Sequence, residues 1–343
     1  MSEVNGIEKM QVKEVTNQRT PLETVVPLEA PFIINIDPCG ACNFNCVFCP
    51  CNTSDYMSAE RHKMMSLELF KKIVDDMKEF RQKVHAVDLY AFGEPLLNKN
   101  ICEMIEYLKK ADVCKKVRMT TNGSLLTPEL NDRLIASGLD VLKISIEGIT
   151  NEDYQSLCKA NVDINKLLQN ITDLYNKKSA LKKDLIIQIK AVNSALKTQQ
   201  EQEKYFEMFS SCSDSCIIEN VKEIWSEFAV GDNAKSSDSW EYERLTGSGN
   251  ICSMPLYQMT IHSNGVVSAC CVDWKFATEY GNVCNDTVRN IWHSKKLRDF
   301  QIRLLEEGRG SMDFCKSCSY PAGDNIDAVA GEIISRLKTM PLD

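Results

Sequence analysis

Between residues 32 and 228 the chain alternates short apolar, β-branched runs with longer stretches whose apolar residues recur at helical spacing. The first run is Phe32-Ile33-Ile34-Asn35-Ile36, and comparable runs at 87–92, 116–121, 141–146, 185–192 and 223–228 read as strands. Between them, helical periodicity covers 66–80, 100–111, 127–137, 167–175 and 199–209, with Thr127-Pro128 supplying a cap and a first-turn proline. Alternation of this kind builds a parallel sheet, because neighbouring parallel strands need a crossover and a helix is the usual one. The expected fold is therefore α/β, about six βα units in a parallel sheet that is open or curled into a partial (β/α)6 TIM-type barrel, over 31–229 behind an N-terminal extension at 1–30.

Past residue 229 the periodicity lapses into Gly, Ser, Asp and Asn, so 230–250 reads as a linker. Beyond it, 258–262 and 266–269 flank Asn264-Gly265 as a hairpin, and 291–305 reads as a helix. These belong to a small cysteine-rich domain at 251–322, followed by a helical tail at 323–343.

Forty basic and 48 acidic residues give a net charge of −8, which argues against broad binding to nucleic acid or an anionic membrane. No apolar run approaches the length needed to span a bilayer, and residues 1–24 are polar, without a signal-peptide segment. The expected compartment is the cytoplasm. In that reducing setting the 16 cysteines are expected to serve as metal ligands or packing residues, not disulfides.

Two cysteine sets stand out. Cys42, Cys46 and Cys49 lie on one short loop between the first strand and the first helix. Three thiolates so spaced suit three corners of a cubane iron–sulfur cluster, leaving the fourth open for an exogenous ligand. A structural zinc loop is the alternative, although zinc prefers four closed protein ligands. The second set is Cys252, Cys270, Cys315 and Cys318, in which Cys315-Lys-Ser-Cys318 forms a knuckle and Cys270 ends a hairpin strand. Here a zinc ribbon is the competing reading. The remaining cysteines read mostly as small buried hydrophobes, with Cys271 a possible replacement for Cys270.

The triad, with the aromatic Phe48 before its last cysteine, resembles the hallmark of the radical S-adenosylmethionine superfamily. Further motifs at later strand ends extend the resemblance over roughly 32–228. Phe92-Gly93-Glu94-Pro95 resembles the family turn that binds the methionine amino group, with Phe92 in place of a first glycine. Thr121-Asn122-Gly123 and Ser145-Ile146-Glu147-Gly148 stand where family members contact the ribose and carboxylate. The resemblance implies a 4Fe–4S cluster, bound S-adenosylmethionine and a 5′-deoxyadenosyl radical that takes hydrogen from a C–H bond. The second set resembles the SPASM/twitch extension of these enzymes. With no cysteine after Cys318 it matches the shorter twitch form, which implies one auxiliary 4Fe–4S cluster. Its spacing is similar to that of 2-deoxy-scyllo-inosamine dehydrogenases.

An auxiliary cluster implies an electron acceptor, and hence a dehydrogenase acting on an alcohol carbon of a sugar, cyclitol or nucleotide-linked sugar. A base must take the proton. Asp273, Lys190 and Glu227 are the candidates, and Cys271 is the candidate hydrogen donor if the reaction is instead an epimerisation. His262 and Trp274 are expected to pack. A peptide maturase, forming a cross-link or inverting an α-carbon, is the alternative. Ferredoxin or flavodoxin is the implied electron donor.

Overall fold

Among the described residues, four of the crossover helices start at their own capping side chains. Ser66 accepts from the Leu69 amide ahead of Leu67–Asp76, and Thr127 accepts from Leu130 ahead of Pro128–Ala136. Asp163 caps Ile164–Ala180 through the amides of Asn165 and Lys166, and Thr198 with Glu201 forms a reciprocal capping box on Gln199–Phe209. Each cap satisfies amides that the first helical turn leaves without partners. The computed structural model describes residues 20–57, 61–219, 249–318 and 326–341.

Among the described residues, nine strands form one sheet: β1 Ile33–Ile36, β2 Val84–Leu89, β3 Cys114–Thr121, β4 Val141–Ile146, β5 Ile186–Val192, β6 Ser215–Glu219, β7 Gln258–Ile261, β8 Val266–Ser268 and β9 Glu279–Asn282. Their spatial order is β6-β5-β4-β3-β2-β1-β7-β8-β9. All pairings from β6 to β7 are parallel, and β7-β8-β9 is antiparallel. The C-terminal hairpin is therefore not a detached lobe. It continues the barrel sheet, with Ile34 opposite Met259 and Asn35 opposite Thr260.

Three readings of the sequence are corrected. The sixth parallel strand is Ser215–Glu219, whose Ser-Cys start resembles a loop; the expected strand at 223–228 lies outside the described residues. The helix expected at 291–305 is two helices, Val288–Trp292 and Lys295–Glu307, because Ser294 turns extended and caps the second through the Leu297 amide. Strand β9 was not anticipated; it is short and holds Gly281 against Ile291. The 20–30 segment is also tied into the core: Trp292 Nε1 donates to Leu28 O at 2.9 Å and Arg336 Nε to Val26 O at 2.6 Å.

The two faces of the parallel sheet differ. One carries Ile34, Val87, Leu89, Val117, Met119, Leu142, Ile144, Ile187 and Ile189, all buried in one apolar core. On the other face β3, β4 and β5 present half-buried Arg118, Thr120, Lys143, Ser145, Gln188 and Lys190. Parallel sheets usually bury both faces in apolar surroundings. A polar second face marks a lumen made for a polar occupant.

Candidate active site

The cysteine loop follows β1 and is clamped from two sides. Asn45 N donates to Cys158 O at 2.8 Å and Val47 N to Leu157 O at 2.9 Å, which pins it to the segment after β4. On the other side Glu94 N donates to Ala41 O at 2.8 Å. Gly93 is required there: a Cβ would lie 1.8 Å from Cys39 O and 2.4 Å from Ala41 O. The turn after β2 thus touches the loop after β1 backbone to backbone.

Glu94 knits these strand ends together. Its Oε1 accepts from Thr121 Oγ1 at 2.6 Å and Leu96 N at 3.0 Å, and its Oε2 from Asn122 N at 2.8 Å. Burial raises its pKa to about 6, the three hydrogen bonds opposing. A carboxylate offers about four acceptor sites, so one lone pair of Oε2 is left. Thr121 is turned toward Glu94 and is a positioning residue in this arrangement. Asn122 bonds Asn43 on the cysteine loop at 2.9 Å. Half-buried Glu147, just past the end of β4, lies close enough to Cys46 and Cys49 for its charge to oppose their ionisation, and faces Lys190. Ser145 and Phe48 are both half-buried.

Cys42 is pushed up to about 12 by burial, and Cys46 is raised by its hydrogen bond with Cys158. Cys49 is lowered because Cys51 hydrogen-bonds to it. Among the described residues no basic side chain stabilises the Cys42 or Cys46 thiolate, so a bound cationic iron centre is the partner their chemistry calls for. Cys42 Sγ also accepts the Phe44 amide at 3.4 Å. Cys252 and Cys270 accept the amides of Met254 and Val272 in the same two-residue pattern. Amide hydrogen bonds to sulfur tune iron–sulfur clusters, so this donor set fits one.

Cys252, Cys270, Cys315 and Cys318 line a single cavity, walled by Phe300, Leu304, Phe314 and Arg309. Tertiary structure brings together four thiols spread over 67 positions, while Cys271 and Cys284 do not line it. Burial raises Cys252 to about 11 and Cys315 to about 12. Arg309, which opposes both shifts, is held by its bonds to Cys318 O and Gly249 O. Among the described residues no three His, Cys, Asp or Glu side chains reach single-ion spacing.

The sequence-read acid–base candidates separate. Asp273 is fully buried and its carboxylate closes its own turn, accepting from Ala277 N, Thr278 N and Thr278 Oγ1 at 3.0, 2.6 and 2.7 Å. Lys190 is 3.4 Å from Glu219. Cys271 faces Gln258 at 3.8 Å and the Asp88 side of the lumen. Glu227 lies outside the described residues. His262 packs between Phe92 and Phe276, and Trp274 packs with Tyr56 and Phe92.

Residues missed from sequence are Asp88, Arg118 and Lys143. Arg118 clasps Asp88 with bonds of 2.5 and 2.7 Å. The period-2 pattern of Lys116, Arg118 and Thr120, and of Lys143, Ser145 and Glu147, was the available signal. An open cavity of about 460 Å³ lies toward the opposite, N-terminal strand ends, lined by Phe32, His85, Lys116, Arg118 and Tyr257, and shares Arg118 with the lumen. It is remote from the cysteine loop, which sits at the carboxyl ends where α/β sheets bind ligands.

A family model of the radical SAM superfamily matches residues 36–193, and one of the SPASM iron–sulfur cluster-binding domain matches 252–319. A GTP 3′,8-cyclase of Staphylococcus haemolyticus (strain JCSC1435) is 28% identical over 141 residues, 40% of this chain and 40% of that protein. The chain therefore aligns with less than half the length of this relative. Streptococcus suis SuiB bound to S-adenosylmethionine superposes with a TM-score of 0.59 at 16% identity, over 85% of this chain and 72% of SuiB. BtrN in complex with AdoMet and 2-DOIA does so with a TM-score of 0.52 at 17% identity, over 83% of this chain and 92% of BtrN. These structures share the fold. No helix among the described residues is long and apolar enough to cross a membrane. The chain thus carries a radical SAM domain at 36–193 and a SPASM iron–sulfur cluster-binding domain at 252–319, which imply a 4Fe–4S cluster, S-adenosylmethionine and an auxiliary iron–sulfur cluster.

Proposed function

We propose that this protein is a radical SAM oxidoreductase that oxidises an alcohol carbon of a sugar, cyclitol or nucleotide-linked sugar. Cys42, Cys46 and Cys49 would hold the S-adenosylmethionine cluster, and Cys252, Cys270, Cys315 and Cys318 the auxiliary one. When bound, these groups supply a hydrogen-atom acceptor, the 5′-deoxyadenosyl radical, and a one-electron acceptor. The observation that carries the reading is the lumen. Its wall from β2 to β6 bears Asp88, Arg118, Lys143, Lys190 and Glu219, groups suited to many hydroxyls and poorly suited to an apolar side chain. Glu94, Gly93 and Asn122 hold the loop ends in place, and the apolar opposite face keeps water from reaching the sheet from behind.

A small redox protein such as ferredoxin or flavodoxin would deliver the electron that starts each turnover. The test is anaerobic turnover with deuterated sugars, aminocyclitols and sugar nucleotides, reading deuterium in 5′-deoxyadenosine and the oxidised product. Transfer from a carbinol position supports the proposal. Transfer only from a peptide substrate would replace it with the peptide-maturase reading.

A further inference from the structure

Among the described residues, five charged side chains cluster around the middle of the lumen, with Lys116 and Glu147 on the same face nearer its two ends, and four of the five are paired. Arg118 on β3 is clasped by Asp88 on β2, and Lys190 on β5 lies 3.4 Å from Glu219 on β6. The fifth, Lys143, occupies the middle of the inward face of β4, in register with Thr120 on β3 and Gln188 on β5. Among the described residues it makes no ion pair and no hydrogen bond. A bare amine is thereby held between two cations whose carboxylates are already engaged, and half-buried Ser145 lies one inward position beyond it.

We propose that Lys143 is the proton acceptor for alcohol oxidation; this rests on the reading above. Two effects favour its neutral form. Burial disfavours its ammonium form, and the charges of Arg118 and Lys190 act in the same direction, against weaker opposition from Asp88 and Glu219. Lys190, the lysine singled out in the sequence, already has a carboxylate partner in Glu219. The step balances as follows. The carbinol carbon gives one hydrogen atom to the acceptor derived from S-adenosylmethionine, and the hydroxyl gives its proton to Lys143 Nζ. The remaining electron passes to an oxidised 4Fe–4S cluster, leaving a carbonyl. Losing the hydroxyl proton turns the carbon-centred radical into a stronger reductant, so proton acceptance and electron loss reinforce one another.

The first experiment needs no substrate. Holoenzyme with S-adenosylmethionine is acetylated with trace acetic anhydride from about pH 6 to about pH 10, and labelling at Lys143 is compared with that at exposed Lys204 by peptide mass spectrometry. The expected midpoint for Lys143 lies below that of Lys204. Coincident midpoints overturn the proposal, and protection of Lys143 by inorganic phosphate with an ordinary midpoint identifies an anion anchor instead. The second experiment uses Lys143→Met and Lys143→Arg, with iron content and S-adenosylmethionine binding as folding checks. Both should lower oxidation of a turned-over alcohol by at least about 100-fold. Lys143→His should restore part of it with a profile moved to lower pH. Retained oxidation in Lys143→Arg overturns proton acceptance. If the wild type oxidises no alcohol, the functional reading fails, while the labelling still decides the state of Lys143.

Discussion

Cys270 and Cys271 are consecutive in the chain yet face different places: Cys270 lines the cavity shared with Cys252, Cys315 and Cys318, and Cys271 is turned toward Gln258. Anaerobically prepared protein should therefore hold about eight iron atoms, as two cubanes require. Cys270→Ala should bring this to about four, and Cys271→Ala should leave it unchanged. Replacing Cys42, Cys46 and Cys49 with Ala should remove the other four. The measurement is iron, sulfide and zinc per chain; one zinc retained by the triple variant would assign the C-terminal cysteines to a structural ion.

Gly93 is fixed by close approach and not by an unusual backbone angle. In Gly93→Ala the methyl group meets two carbonyl oxygens of the cysteine loop, neither of which can rotate aside. Strain of about 1–3 kcal/mol is expected, together with loss of about half the iron, from the first site. Full iron with wild-type stability would show that the loop and turn are not in contact in solution.

The Thr121–Glu94 bond holds two strand ends at one carboxylate. Thr121→Val should cost about 1.5–3 kcal/mol in chemical denaturation, as for a lost bond to a buried charge, whereas Thr121→Ser should cost far less. The folded-state pKa of about 6 lies above the ordinary glutamate value, so this group favours folding most below the unfolded pKa. That contribution is lost as pH rises from about 4.5 through about 6. Removing the Thr121 donor should raise the Glu94 pKa further and move the loss to higher pH, which pH-dependent unfolding would detect.

His262 shows the opposite sign. Burial, aided by the Arg61 charge, lowers its pKa to about 3, so it is neutral in the fold, with Nε2 2.8 Å from Ser268 Oγ. Its full contribution is present above the unfolded value of about 6.5 and is lost as pH falls toward 3. Lowering the pH from about 7 to about 5 should cost about 2 kcal/mol through this residue. His262→Phe, which keeps the stacking with Phe92 and Phe276, should remove that slope for a pH-independent loss of about 1 kcal/mol. An unchanged slope would place the effect elsewhere.

Local chemistry made much of this legible. Capping residues such as Thr127 and Thr198 set helix starts within the chain's own next turn, and apolar runs such as 141–146 set strands regardless of their neighbours. The strand Ser215–Glu219 and the break at Ser294 were not legible, because a five-residue edge strand and a single extended residue carry too little periodicity. The charged lumen was half legible. Alternation in 116–120 and 143–147 separates two faces but says nothing of which residues from different strands pair.

By itself the sequence determined the βα alternation and the spacing of Cys42, Cys46 and Cys49, because helix periodicity, caps and a one-loop triad act over a few residues. Only the tertiary structure decided that β7 pairs with β1, that Cys270 and not Cys271 meets Cys252 and Cys315, and that Lys143 is left bare between two ion pairs. Those outcomes depend on strand register, in which a shift of one residue turns every side chain to the other face, and register is fixed by packing across the whole sheet.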